Sequence, residues 1–165
     1  MQLSSLKGNE MSIPVWKTVE IGNLGNSFAA MSRLLHGGPY IIWGAESCEL
    51  VSYEKTSRGL DLVLVSPREL GITKQSSYVD LYREAEKLNL SLCPAETAIS
   101  LMIQERELRI PKGRDYFFGG VCVAMEPIQY KDKNLLLHVG GNQISRRDIL
   151  RFYESEDASL VFVRN

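Results

Sequence analysis

Histidine is scarce in this chain: His36 and His138 are the two among 165 residues. With so few, and with carboxylates scattered, no metal-ligand spacing can be written. Cysteine is nearly as rare. Cys48, Cys93 and Cys122 form an odd set without CxxC spacing, which argues against a disulfide framework or a zinc site and for buried, reduced thiols. Long apolar runs are missing too. Phe117 to Met125 is interrupted by Gly119 and Gly120 and is far too short to cross a bilayer. The first ten residues have no apolar core of a secretion signal, so the expected location is cytoplasmic, with signal-less export left open. Charge of one sign is absent as well: 19 basic and 20 acidic side chains leave a net charge of -1. No nucleic-acid partner and no membrane partner is expected from that balance. The densest basic spot, Arg146, Arg147 and Arg151, is offset by Asp148, Glu154, Glu156 and Asp157 and reads as the solvated face of a helix.

What is present is ordinary globular text, 44% apolar and 24% charged, enough to bury a core without metal or disulfides. Residues 1–12 are polar and aperiodic, a loose tail, and residues 13–165 read as one domain without repeats or linkers. Val15, Lys17, Val19 and Ile21 alternate with Trp16, Thr18 and Glu20, a strand pattern. Ser27 then opens a helix with Phe28, Met31 and Leu35 as its inner stripe and Gly37 as its stop. Tyr40–Trp43, Cys48–Tyr53 and Leu60–Val65 read as strands, the last a central one. Ser66-Pro67-Arg68-Glu69 has capping-box form over a single turn ended by Gly71. Ser77 and Asp80 form a second box, opening a helix to about Asn89 with Leu81, Ala85 and Leu88 inward.

Leu90–Cys93 returns as a strand. Pro94-Ala95-Glu96 starts a helical turn, and the alternation of Ile99, Leu101 and Ile103 then predicts a strand. Lys112–Asp115 reads as a hairpin turn, Phe118–Met125 as a strand whose glycines mark a bulge or close backbone approach, and Leu135–Val139 as another strand. Ser145 as N-cap, Asp148 at the third helical position and Ile144 with Ile149 as staple predict a last helix. Leu160–Val163 closes the chain as a strand that needs a partner inside the fold. The expected class is α+β: one domain, a mixed or mostly antiparallel sheet of about six to eight strands, and about three helices.

Five stretches occur in an order that resembles an uncharacterised family of small bacterial proteins: Val15-Trp-Lys-Thr-Val-Glu-Ile-Gly22, Glu69-Leu-Gly71, Leu92-Cys-Pro-Ala-Glu96, Val123-Ala-Met-Glu-Pro-Ile128 and Val161-Phe-Val-Arg164. The resemblance spans about residues 14–164. It implies the domain boundaries and carries no activity with it. The family pattern has Gly-Pro shortly after Cys-Pro-Ala-Glu and then an arginine-bearing strand. Here Thr97-Ala98-Ile99-Ser100 follows, and Arg106 or Arg109 comes later.

Chemistry-bearing residues are few. Glu96 and Glu126 each sit beside a proline at the end of a predicted strand. Brought to one rim, two carboxylates can divide acid and base roles; apart, each caps backbone or pairs with an arginine such as Arg109. Cys93 and Cys122 become nucleophile candidates beside His36 or His138, or lie inert in apolar strands. Gly22-Asn-Leu-Gly25-Asn-Ser lacks the Walker lysine and the GxGxxG spacing, so it reads as a plain β–α turn and no cofactor is expected. The sequence therefore favours a non-catalytic binding or interaction module for a small molecule or protein, with Glu96, Glu126, Arg109 and Cys93 as candidate ligand-binding residues. A small hydrolase using Glu96 and Glu126 is the alternative.

Overall fold

The computed structural model describes residues 13–36, 45–73, 76–105, 120–140, 143–149 and 157–165. The tail 1–12, the expected strand Tyr40–Trp43, the expected turn Lys112–Asp115 and Arg109 lie outside the described residues. The element order is β1 (Lys17–Ile21), α1 (Ser27–His36), α2 (Ala45–Leu50), β2 (Arg58–Val65), α3 (Tyr78–Lys87), β3 (Leu90–Ser91), α4 (Glu96–Gln104), β4 (Gly120–Val123), β5 (Ile128–Tyr130), β6 (Lys133–Gly140), β7 (Gln143–Asp148) and β8 (Leu160–Arg164). The class is α+β with one open, mixed sheet.

Across the sheet the strands run β1-β2-β8-β4-β6, with β7 on the far edge of β6. Among the described strands β4 and β8 pair in parallel, Cys93 and Met125 add an isolated parallel bridge, and the other strand pairs are antiparallel. Two edges are shared end to end. Val163 pairs with Leu62 of β2 and Ser91 of β3, so β3 continues the edge of β8 that β4 leaves. Leu135 pairs with Ile128 and Asp148, so β5 continues the edge of β6 that β4 leaves. β4 must come close to β6 at its start: a Cβ on Gly120 would lie 2.1 Å from the Val139 carbonyl oxygen, which explains the glycine there.

Side chains alternate across a sheet, so the register sorts them. Lys17, Leu62, Val163, Val123, Val139 and Arg146 share one face. Lys17 pairs with Glu105 just beyond α4 and Arg146 with Glu46 on α2, so α2 and α4 lie on that face. Cys122, Phe162, His138, Ser145 and Arg147 share the other. Tyr78 of α3 approaches there, near enough to Cys122 for an electrostatic effect. With both faces covered, Leu160 to Val163 is buried throughout.

Several expectations hold. Val19 and Ile21 are buried while Thr18 and Glu20 are exposed. Ser77 and Asp80 form the capping box, with Leu81 and Ala85 buried. Ser66 and Glu69 exchange side-chain and backbone hydrogen bonds as the first box, Ser66-Pro67-Arg68-Glu69, requires. Four need correction. The predicted strand Cys48–Tyr53 begins as the helix α2, and Val51 onward is loop. The predicted strand at Ile99–Ile103 is α4, buried from Glu96 to Met102. It packs against β1, β6 and β7 and against α1, so apolar residues occupy most of its circumference and blur the helical period. The predicted last helix is β7, paired along its length with β6; the Gly140-Gly141-Asn142 text before it is a hairpin signal that outweighs the capping pattern. In α1 the cap is Asn26, whose Oδ1 accepts from the Ala29 N–H. Ala30 is the buried residue of that helix, while Phe28 and Leu35 are 75% and 45% exposed.

The outer edge of β1 is served by α4. Gln104 Nε2 donates to the Glu20 carbonyl at 2.7 Å and its Oε1 accepts the Glu20 N–H at 3.0 Å. A side-chain amide thus stands where another strand would otherwise add.

The position of β8 generates a prediction. Four buried apolar residues contribute about 6–12 kcal/mol, comparable to the whole stability of a domain at about 5–15 kcal/mol. Truncation after Asp157 is expected to yield insoluble or unfolded protein. A soluble truncation with a cooperative melt by circular dichroism would contradict the central placement of β8.

Candidate functional site

The Pro94-Ala95-Glu96 start of α4 sets Glu96 at the first helical position, where the helix dipole favours a carboxylate. The cap residue Ala95 supplies no side-chain hydrogen bond. Glu96 itself is wholly buried. Its Oε1 accepts the Gly22 N–H at 2.9 Å and its Oε2 accepts the Glu54 N–H at 2.8 Å. One carboxylate therefore holds the β1–α1 turn, the loop between α2 and β2, and the start of α4 together. Gly22 fits this junction for two reasons. Its φ is +80°, a backbone region that side chains avoid, and a Cβ there would lie 2.1 Å from the Thr56 carbonyl oxygen. Tyr53 stands nearby, donating from its hydroxyl to the Cys48 carbonyl. Burial first, and then Cys48 and the Glu96 charge, push its hydroxyl pKa up.

Glu126 is exposed and has other surroundings. The preceding residue, Met125, is clamped by α3. Its carbonyl accepts from the hydroxyls of Tyr78 at 2.9 Å and Tyr82 at 2.7 Å, and its N–H donates to the Tyr78 oxygen at 3.2 Å. Burial raises the Tyr82 pKa, and the Glu126 charge adds to it. The two glutamates thus have no hydrogen-bond partner in common among the described residues: Glu96 faces backbone amides, Glu126 faces a tyrosine at the surface.

Cys93 is buried, donates from Sγ to the Val161 carbonyl at 3.4 Å, and has its thiol pKa raised by burial. Burial also raises Cys48, against a lowering hydrogen bond from Tyr53. Cys122 is the thiol that meets a histidine. It is the cross-strand partner of His138, and His138 Nδ1 lies 3.2 Å from Ser145 Oγ on the next strand. Cys122, His138 and Ser145 therefore form a row across β4, β6 and β7 on the α3 face. The order of groups is that of a nucleophile, a base and an orienting group. Its environment opposes that chemistry: His138 is 1% exposed, and burial pushes the Cys122 thiol up to about 12, partly offset by Arg147. The reactive thiolate is the disfavoured form at neutral pH.

Among the described residues no group of three or more His, Cys, Asp or Glu is placed to hold a metal ion. No protein-family model matches the chain, and no curated protein or solved structure matches it.

Sequence spacing pointed to Glu96 but missed its partners, which lie 74 and 42 residues away. It also missed Gln104, although Glu96, Ser100 and Gln104 stand at i, i+4 and i+8 on one helix face.

Thermal melts separate the two glutamates. Glu96→Gln places an amide N–H₂ where a backbone N–H already points, so the expected loss is about 1.5–3 kcal/mol, or a fall in Tm of about 4–10 °C for a chain this size. Glu126→Gln is expected to stay within about 0.5 kcal/mol of the parent. Equal and small effects would remove Glu96 from its structural role.

Proposed function

We propose that this chain is a non-catalytic binding or interaction module of a bacterial, cytoplasmic protein. The observation that carries the reading is the commitment of Glu96. Both oxygens of the carboxylate best placed for chemistry are spent on backbone N–H groups inside the core, and a general acid or base must reach a substrate proton. The buried thiols support the same reading, since burial raises all three. Among the described residues no helix is long and apolar enough to cross a membrane.

The alternative, a small hydrolase, keeps one exposed carboxylate, Glu126. A panel of nitrophenyl glycosides and esters tests it. The module reading expects no release above the buffer rate that Glu126→Gln changes. A rate that falls at least about 100-fold in Glu126→Gln, the scale of a lost acid–base group, would establish the hydrolase instead.

A further inference from the structure

Strand β1 ends the sheet among the described strands, and its outer edge carries backbone groups that β2 does not use. Gln104 marks which they are. Its side-chain amide bonds both the Glu20 carbonyl, at 2.7 Å, and the Glu20 N–H, at 3.0 Å, so Glu20 turns its backbone away from β2. Strand residues alternate with a period of two, and Thr18 therefore turns the same way. No hydrogen bond to its outward N–H or C=O is made among the described residues. Thr18, Glu20 and Gln104 are all exposed, so an incoming chain reaches this edge from solvent.

The register sorts the charges beside the edge. Thr18, Glu20 and Asp61 lie on one face, with Thr18 Oγ1 donating to Asp61 Oδ1 at 2.7 Å. Both carboxylates are exposed, and no lysine or arginine of β1 or β2 shares their face. Lys17 and Arg58 lie on the opposite face, where Lys17 is paired with Glu105. A second copy of β1 laid along this edge would bring Glu20 and Asp61 of both chains together, and like charges on neighbouring strands repel. A strand with lysine or arginine at alternate positions meets the same carboxylates with opposite charge.

We infer that the outer edge of β1 is a docking surface for an extended basic peptide segment, added as a strand at Thr18 and Glu20, with Gln104 as the group it displaces. The incoming backbone replaces the two Gln104 hydrogen bonds at Glu20 and gains those of Thr18, and main-chain bonds of this kind supply the affinity in strand addition. Residues opposite Thr18 and Glu20 share their face, so lysine or arginine there meets Glu20 and Asp61, while the residue between them lies opposite Val19. Until such a segment arrives, the Gln104 amide covers the edge at Glu20 against indiscriminate pairing. The inference rests on the binding-module reading and names its partner class.

The test is titration of acetyl-Lys-Val-Lys-Val-Lys-amide into the ¹⁵N-labelled full chain, followed by NMR, with acetyl-Glu-Val-Glu-Val-Glu-amide as the charge-reversed arm. The expected result is saturable shifts of the Thr18 and Glu20 amides with the basic peptide, half-saturated at about 1 mM, and no saturable shift with the acidic one. Gln104→Ala removes the competing amide, so binding is expected to tighten about fivefold, a gain that a merely structural glutamine would not give. Glu20→Lys is expected to weaken binding about fivefold. Both substitutions fall at exposed positions. Equal response to the two peptides, drift without saturation, or a Gln104→Ala variant that binds no tighter than the parent would overturn the docking surface. Shifts of Thr18 and Glu20 that grow with protein concentration in the absence of peptide would assign the edge to a second copy and overturn the partner class. The turnover panel is read independently, so failure here and failure of the module reading are distinguished by separate measurements.

Discussion

A carboxylate with no exposed surface must have its oxygens hydrogen-bonded or its burial is costly, and Glu96 meets that requirement with two backbone N–H groups. Much else follows from it. Because Gly22 donates to it, the turn after β1 is fixed, and the outer edge of β1 is drawn against α4. Because Glu54 donates to it, the loop that brings the chain from α2 to β2 is anchored at the same point. Gln104, two turns along, then reaches the Glu20 backbone, and Lys17 pairs with Glu105. The polar residues of an otherwise apolar helix thus line up along one strand edge. The remaining sides of α4, with Ala98, Ile99, Leu101 and Met102 all buried, are free to join the core.

The reading of function comes from how the polar groups are used. Glu96 holds loops. Tyr78 and Tyr82 hold the Met125 backbone. Cys122 and His138 are cross-strand partners and both buried, where charge is costly. Glu126 stays exposed; the other candidate groups among the described residues are engaged in structure or shielded. The guanidinium of Arg146 is likewise held, by Glu46 and beside the Tyr130 ring, and its Nη1 is buried.

Local rules were legible where local energy decides. The alternation around Val19 and Ile21, the capping box of Ser77 and Asp80, and the apolar run of β8 all appear in the structure as the sequence suggests. They fail where packing decides. A helix buried from Glu96 to Met102 carries apolar residues around most of its circumference and shows little amphipathic period, so Ile99, Leu101 and Ile103 passed for a strand. Ser145 and Asp148 have capping-box spacing, yet pairing with β6 recruits them into β7. Phe28 and Leu35 look like an inner stripe, but the cap at Asn26 and the buried Ala30 turn another side of α1 inward. Of the candidate site, the proline beside Glu96 marked a helix start. Its role depends on two amides that only the tertiary fold brings near.

The central claim is that one buried carboxylate ties three distant segments together. Amide hydrogen exchange at Gly22 and Glu54 tests it most directly. Both sit outside strand ladders, in a turn and a loop where exchange is ordinarily fast. The account predicts that both are protected in the parent protein and that both lose protection together in Glu96→Gln, while amides in the α3 capping box keep theirs. Fast exchange at either amide in the parent, or protection that survives the substitution, would contradict it.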